Sequence, residues 1–198
     1  MNYLAHAFLS FGEKDILAGN MISDFVKGKS KYNYPPQIQK GIHLHRLIDE
    51  FTDTHAATAK AKQYFRPQYR LYSGAFVDVV YDHFLALDEK QFESYGGLTN
   101  FSTKVYQLLG YNFDVFPERF KKMFPYMQSQ NWLYNYQFKE GIQKSFQGLV
   151  FRATYLKESA IAFEIFNEYY SELESCYQEF FPEIKQYAFQ TLDNLLGE

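Results

Sequence analysis

The sequence has few of the features that mark extracellular or membrane proteins. Cys176 is the only cysteine among 198 residues, so no disulfide can form within the chain and a cysteine-based zinc site is not expected. No apolar run approaches the ~20 residues that a membrane helix needs. The N-terminal segment also lacks the basic start and the small-residue cleavage site of a signal peptide. We therefore expect a protein of a reducing, cytoplasmic compartment that does not bind to membranes.

Motifs of several common enzyme classes are also missing. The chain contains no G-x-x-x-x-G-K-[ST] phosphate loop, no G-x-G-x-x-G dinucleotide fingerprint, no G-x-S-x-G serine elbow and no H-E-x-x-H zinc motif. These absences argue against P-loop, Rossmann and α/β-hydrolase chemistry.

Charge is distributed unevenly along the chain, although the net charge is only −3. Residues 1–70 hold ten Lys/Arg and six Asp/Glu, residues 71–152 hold eight of each, and residues 153–198 hold two Lys and nine acids. A basic first third favours an acidic or phosphorylated partner. The excess is too small to indicate nucleic-acid binding, which we do not expect.

Hydrophobic periodicity predicts an all-α protein. Apolar positions recur three and four residues apart, most clearly from Phe163 to Phe180, as is typical of an antiparallel helical bundle. No linker or repeat interrupts the chain, so residues 1–198 are predicted to form one domain of about seven helices, with Pro182 ending the Phe163–Phe180 helix before a final one. The other expected helices cover residues 13–28, a segment that begins after Pro36 and ends near Thr54, residues 56–64, residues 70–88 and residues 131–152.

The stretch from Gly41 to His55, GIHLHRLIDEFTDTH, holds three of the five histidines. On a helix, His45 and Asp49 are one turn apart on a flank of the apolar stripe. An imidazole and a carboxylate in that relation are good ligands for a divalent metal. An ordinary polar helix flank is the alternative. His43 falls on the opposite side of the helix and is not a candidate.

Carboxylates also occur on two apolar segments. Asp24 lies among apolar neighbours in residues 13–28, and Asp78 and Asp82 share one face of the apolar segment 70–88. A buried, unpaired charge costs several kcal/mol, so each of these groups requires a cation. That cation is a metal ion, an arginine or a lysine, and a structural ion pair with Arg46 or Arg70 is the alternative to a metal site.

The His and Asp residues of these segments form a mixed ligand set without cysteine. Such a set suits Mn²⁺, Mg²⁺, Fe²⁺ or Zn²⁺, and its natural chemistry is metal-assisted hydrolysis of a phosphate ester. A buried histidine such as His6 is more often only a core residue. The full set comprises His6, Asp24, His45, Asp49, Asp78, Asp82 and His83.

Four segments in register resemble successive motifs of the acyl carrier protein phosphodiesterase family: NYLAHAFLS, GNMISDFVKG, GIHLHRLIDEFTDTH and VDVVYDHFLA. The resemblance covers roughly residues 1–88, whereas residues 90–198 carry no such motif. The family is a divergent relative of the His-Asp phosphohydrolases, which implies an HD-phosphohydrolase-like helical fold. The resemblance implies metal-dependent hydrolysis, most often with Mn²⁺, of the phosphodiester that joins 4′-phosphopantetheine to a serine of acyl carrier protein, giving the apo-protein and 4′-phosphopantetheine.

The resemblance also implies roles for individual residues. Metal ligands or their neighbours come from Asp24, His45, Asp49, Asp82 and His83, with His6 and Asp78 next. Asp53 and His55 orient ligands or handle protons, and Arg46 meets a phosphate oxygen or pairs with Asp49. The implied catalytic residues are thus Asp24, His45, Arg46, Asp49, Asp53 and His55. The carrier protein is acidic, so a basic docking surface is expected, with Lys27, Lys29, Lys31, Lys60 and Lys62 as its candidates.

Two other interpretations of the sequence stay open. The same site could act as an HD-type phosphohydrolase of a nucleotide or another small phosphorylated metabolite. Alternatively, the chain could be a non-catalytic helical module whose buried aspartates form structural ion pairs.

Overall fold

The computed structural model of this protein describes residues 1–197, which form α-helices and short 3₁₀ turns and contain no β-strand. The all-α prediction is therefore confirmed. Twelve α-helices are present in these residues rather than about seven: α1 Tyr3–Phe8, α2 Lys14–Ile22, α3 Pro36–Thr54, α4 Ala56–Tyr69, α5 Ser73–Leu87, α6 Glu89–Phe92, α7 Leu98–Gly110, α8 Glu118–Ser129, α9 Trp132–Asn135, α10 Lys139–Arg152, α11 Ala160–Glu168 and α12 Tyr170–Gly197.

The bounds of the predicted helices agree best for α3 and α5. α3 begins at Pro36, next to its expected start, and ends at Thr54 as expected, and α5 lies inside the predicted segment 70–88. α4 extends to Tyr69 instead of residue 64. The predicted helix over residues 13–28 ends at Ile22, where a 3₁₀ turn over Ser23–Phe25 begins. The predicted helix 131–152 is divided into α9 and α10, because Phe138 has an extended backbone.

The prediction that Pro182 ends a helix is wrong. α12 continues through Pro182 for a total of 28 residues. An interior proline costs a helix about 3 kcal/mol. Phe181 and Ile184 lie on either side of it and are almost completely buried in the core. Burial of each such side chain contributes about 1.5–3 kcal/mol, which offsets the cost. The helical run from Phe163 instead breaks between α11 and α12.

Helices α2 and α3 cross backbone to backbone at two glycines. A Cβ atom added at Gly41 overlaps the carbonyl group of Ile16, and one added at Gly19 overlaps the carbonyl oxygen of Ile38. Glycine is therefore required at both positions. The close approach places the residues next to Gly19 on α2 against the polar flank of α3.

Helix α5 is buried on nearly all sides, as predicted, and it holds α1 in place through Asp82. The Asp82 carboxylate is completely buried. It accepts hydrogen bonds from the backbone N–H groups of Asn2 (3.3 Å), Leu4 (2.7 Å) and Ala5 (3.3 Å). These amides lie at the start of α1, where no helical carbonyl is available to them. Asp82 therefore caps α1 and fixes it against the core.

Within residues 1–197, no helix combines the length and the apolar character that a membrane crossing requires.

We expect Gly41→Ala to destabilise the protein by about 3 kcal/mol, because the added methyl group forces α2 and α3 apart. The measurement is chemical denaturation followed by circular dichroism. Gly148→Ala on α10 is the matched control, since a Cβ atom there meets no other atom within 4 Å. Equal stability of the two variants would show that the crossing tolerates a side chain.

Candidate metal and active site

Imidazole and carboxylate groups cluster where α1, α2 and α3 meet. His6 of α1 and His45 of α3 stack, with ring centroids 3.9 Å apart and ring planes inclined by 15°. The Asp49 carboxylate contacts one nitrogen of each ring: its Oδ1 is 3.2 Å from Nε2 of His6, and its Oδ2 is 3.1 Å from Nε2 of His45. Oδ1 of Asp24 lies 3.2 Å from the same His45 nitrogen. The structure thus brings together four of the predicted site residues.

Asn20 determines the orientation of His45, and the sequence analysis missed it. Nδ1 of His45 lies 2.8 Å from the backbone carbonyl oxygen of Asn20. A carbonyl only accepts hydrogen bonds, so Nδ1 carries the proton and Nε2 faces the carboxylates. The Asn20 side chain donates to the carbonyl oxygen of His6 and to Oγ of Ser10. An amide inside the apolar segment beside Gly19 was the available signal.

The pKa values of the two stacked histidines are shifted in opposite directions. Burial, together with the charge of His45, lowers the pKa of His6 to about 4. Burial also acts to lower the pKa of His45, but hydrogen bonds to Asp24 and Asp49 outweigh it and raise the value to about 9. Burial acts to raise the pKa of Asp49, yet the hydrogen bond from His45 and the closeness of His6 and of the amino group of Met1 hold it far below its usual range.

Three of these residues fit a divalent metal ion. His6, His45 and Asp49 each offer a donor atom, and these atoms lie within 4.8 Å of one another. Neither ring nitrogen of His6 makes an aligned hydrogen bond within residues 1–197, although Nε2 is close to Asp49. Buried polar atoms almost always have partners, and a cation bound at Nε2 would give His6 one. Two imidazoles and a carboxylate suit Mn²⁺, Fe²⁺ or Zn²⁺.

The buried aspartates of α5 have partners other than those predicted. Oδ1 of Asp78 lies 2.9 Å from the amino nitrogen of Met1, which is also 3.6 Å from Oδ1 of Asp49. Asp82 binds the backbone of α1, as described above. Neither Arg46 nor Arg70 forms an ion pair within the described residues, so the predicted arginine partners are wrong. The compensating groups are an amine and backbone amides, which residue types do not reveal.

The structure does not bring His83 to the cluster. Its Nδ1 lies 2.7 Å from the carbonyl oxygen of Tyr136, and its Nε2 lies 2.9 Å from the hydroxyl of Tyr170. Successive residues on a helix point about 100° apart. Because Asp82 faces α1, its neighbour His83 is turned towards α9, α10 and α12.

The side chains of the remaining catalytic candidates, on α3 and directly after it, also lie apart from the stacked histidines. Arg46 donates from Nη2 to the carbonyl oxygen of Val26. Asp53 pairs with Lys62 at 2.7 Å. His55 accepts a hydrogen bond from the backbone N–H of residue 57, which caps α4, and its Nε2 lies 3.3 Å from a carboxylate oxygen of residue 183 on α12. Each of these side chains has a local structural partner.

The candidate docking lysines occupy two segments. Lys27 and Lys29 are exposed and Lys31 is half-buried, in or next to the 3₁₀ segment Gly28–Asn33 that follows Asp24. Lys60 is exposed on α4, whereas Lys62 is half-buried and paired with the carboxylate of residue 53. The first group is therefore the one that adjoins the cluster along the chain.

Two cavities that share part of their lining lie near the cluster. The first, about 390 Å³, is lined by Asp24 and Asp78 on one side and by Arg119 and Arg152 among its other residues. The second, about 480 Å³, is lined by residues of α9 and α10. Three residues line both cavities: Asn2, Tyr3 and Arg152. Arg152 was not singled out from the sequence, since nothing in its local pattern distinguishes it from a solvated residue.

Comparison with known proteins agrees with the sequence motifs. A family profile described as acyl carrier protein phosphodiesterase matches residues 1–184. Proteins with that name from Klebsiella pneumoniae (strain 342) and Yersinia pestis are 32% and 33% identical over 188 residues, which cover 95% of this chain and 97% of each relative. No solved structure matches the chain, so its predicted likeness to the HD phosphohydrolases stays a prediction. The chain belongs to the acyl carrier protein phosphodiesterase family.

Proposed function

We propose that this protein hydrolyses the phosphodiester between 4′-phosphopantetheine and a serine of acyl carrier protein. Water adds to phosphorus, the bond from phosphorus to the serine oxygen breaks, and that oxygen takes up a proton. The products are the apo-carrier protein and 4′-phosphopantetheine. The observation that carries the proposal is the His6–His45–Asp49 cluster beside a cavity, in a chain whose relatives bear the name of this activity.

The proposal includes a divalent metal ion, for which we favour Mn²⁺, held by His6, His45 and Asp49. A bound ion of this kind lowers the pKa of water and neutralises charge on a phosphoryl oxygen. Asn20 keeps Nε2 of His45 directed at the ligand position. The Asp24 side chain is 72% exposed and lines the first cavity, so it is the carboxylate of the cluster that an entering substrate meets.

The remaining predicted residues act in this proposal through structure. Asp82 and Asp78 fix the N-terminal segment that carries His6. His83, Asp53 and His55 are given no contact with the reacting phosphate, because their side chains are held by other partners.

The activity is tested by incubating holo-acyl carrier protein with the protein and Mn²⁺ and following the mass of the carrier. We expect a mass loss that matches phosphopantetheine. His45→Ala and Asp49→Ala are expected to lower kcat/KM by more than about 100-fold. Loss of a group that only orients a metal ligand costs up to about that much, and these two residues are proposed to be ligands themselves. His43→Ala is the control, since His43 is exposed on the same helix. Turnover of small phosphodiesters without any mass loss would favour a small-metabolite phosphohydrolase instead.

Metal binding is expected to release about one proton at pH 7. Metal-free His45, with its pKa of about 9, is protonated at that pH, whereas the ligand form is neutral. His6, with a pKa of about 4, is already neutral. The apparent affinity for the metal ion therefore rises about tenfold per pH unit above pH 7 and levels off near pH 9.

Calorimetric titration of the protein with Mn²⁺ in two buffers of different ionisation enthalpy measures this proton release. His43→Ala should bind the metal like the wild type, and His45→Ala should lose the binding. A binding heat that does not depend on the buffer contradicts the assignment of His45 as a ligand. Wild-type protein that takes up no metal contradicts the whole ligand set and favours a non-catalytic module.

Charge reversal at Lys27, Lys29 and Lys31 tests the docking surface. Replacing all three by glutamate should lower kcat/KM for the acidic carrier protein by about tenfold or more, mainly through slower association. Turnover of bis(p-nitrophenyl) phosphate should fall far less, because a small diester needs no docking. Reversal of the exposed Lys90 and Lys104 serves as the control. Equal losses on both substrates would exclude these lysines from docking.

A further inference from the structure

The larger cavity lies outside the cluster and has no role in the reaction as described so far. Its volume of about 480 Å³ is within the range of about 300–1,000 Å³ that is usual for small-molecule sites. It shares Asn2, Tyr3 and Arg152 with the cavity that adjoins Asp24. A ligand whose phosphate lies beside the cluster can therefore extend into this second space.

Two arginines mark the passage between the cluster and the larger cavity. Arg119 of α8 lines the first cavity, and Arg152 at the end of α10 lines both. Both side chains are exposed, and neither forms an ion pair within residues 1–197. A guanidinium group binds phosphate oxygens through two parallel hydrogen bonds. The passage is thus suited to a phosphate group.

The wall of the larger cavity combines aromatic surfaces with amide groups. Trp132 and Phe138 supply apolar area, and Gln130 and Asn135 supply polar groups. The indole N–H of Trp132 donates to Oε1 of Gln130 at 2.9 Å, so this part of the wall is already ordered. Besides Arg152, the wall also holds one acidic and one basic side chain, whose charges offset each other. An elongated ligand that alternates apolar carbon groups with amides matches such a wall.

Tyr136 gives an independent indication of a ligand. The residue is only 4% exposed and lines the larger cavity. Burial raises the pKa of its hydroxyl well above the usual value, so the group remains a hydrogen-bond donor. No hydrogen bond to this hydroxyl occurs in the part of the chain that the structure describes, and its oxygen is open to the cavity rather than sealed in the core. The hydroxyl is therefore free to donate a hydrogen bond to a ligand carbonyl in the cavity.

We propose that this cavity binds the pantetheine arm of the substrate, while Arg119 and Arg152 hold its phosphate. The arm has two amides and a dimethyl-substituted carbon, which correspond to the amide and aromatic groups of the wall. Its direction, from the arginines into the cavity, leaves the bond to the carrier serine on the side of the His6–His45–Asp49 cluster. The inference rests on the proposed function, because it takes the substrate from there.

A direct test uses the fluorescence of Trp132, which is the single tryptophan of the chain and lines the cavity. Titration with pantetheine, which lacks the phosphate, should give a saturable change in emission. 4′-Phosphopantetheine should bind more tightly, and Arg152→Gln should reduce that advantage by about tenfold. Wild-type protein that gives no saturable change with pantetheine would overturn the assignment, whatever its catalytic activity.

Gly148 allows the cavity to be filled by mutation. It lies on α10 in the cavity wall, and a Cβ atom there meets nothing within 4 Å. Gly148→Phe should therefore fold and weaken pantetheine binding by at least about tenfold through loss of space. Gly110→Phe is the matched control, because Gly110 also has open space around it but lies at the end of α7, outside the cavity. Thermal unfolding confirms that both variants are folded.

Turnover separates this proposal from the proposed function. In Gly148→Phe, the ratio of kcat/KM for holo-acyl carrier protein to kcat/KM for bis(p-nitrophenyl) phosphate should fall at least about tenfold, mainly through KM. An unchanged ratio, with wild-type cleavage of the carrier intact, refutes the arm site and leaves the activity standing. Saturable pantetheine binding without any cleavage of the carrier refutes the activity and leaves the site standing.

Discussion

The crossing of α2 and α3 at Gly19 and Gly41 is the constraint on which the site depends. With two backbones in contact, the polar residues beside the crossing have fixed neighbours. The carbonyl of Asn20 then meets Nδ1 of His45, and Asp24, just beyond the end of α2, meets the other nitrogen of the same ring. A side chain at either glycine separates the helices and removes both contacts at once.

Compensation of buried charge determines the rest of the arrangement. The Asp49 carboxylate lies next to two imidazoles, and the Asp78 carboxylate pairs with an amine. The Asp82 carboxylate accepts hydrogen bonds from three backbone amides. Each carboxylate therefore has its own kind of partner, as the cost of burying an unpaired charge requires. His6 is the exception, because its buried nitrogens make no aligned hydrogen bond within the described residues. The unpartnered group of this cluster is thus an imidazole, a ligand that divalent metals bind.

In the two proposals, chemistry and recognition are divided between the two halves of the chain. The residues of the cluster all come from the first 49 positions, where the family motifs lie. The larger cavity is built mainly by α9 and α10, in a part of the chain that carries no motif. The arginines at positions 119 and 152 join the two, since they line the space beside Asp24. The half without recognisable motifs therefore shapes the site that we propose for the substrate arm.

Local spacing determined what the sequence alone could predict. The bounds of α3, the burial of α5 and the shared flank of His45 and Asp49 follow from helical periodicity, which acts over one or two turns. The number of helices, the passage of α12 through Pro182, the separation of His83 and the stacking of His6 on His45 were decided by tertiary structure. Each of these features depends on which face of a helix its neighbours cover. The free energy gained by burying that face is larger than the local helix preference of the residues involved.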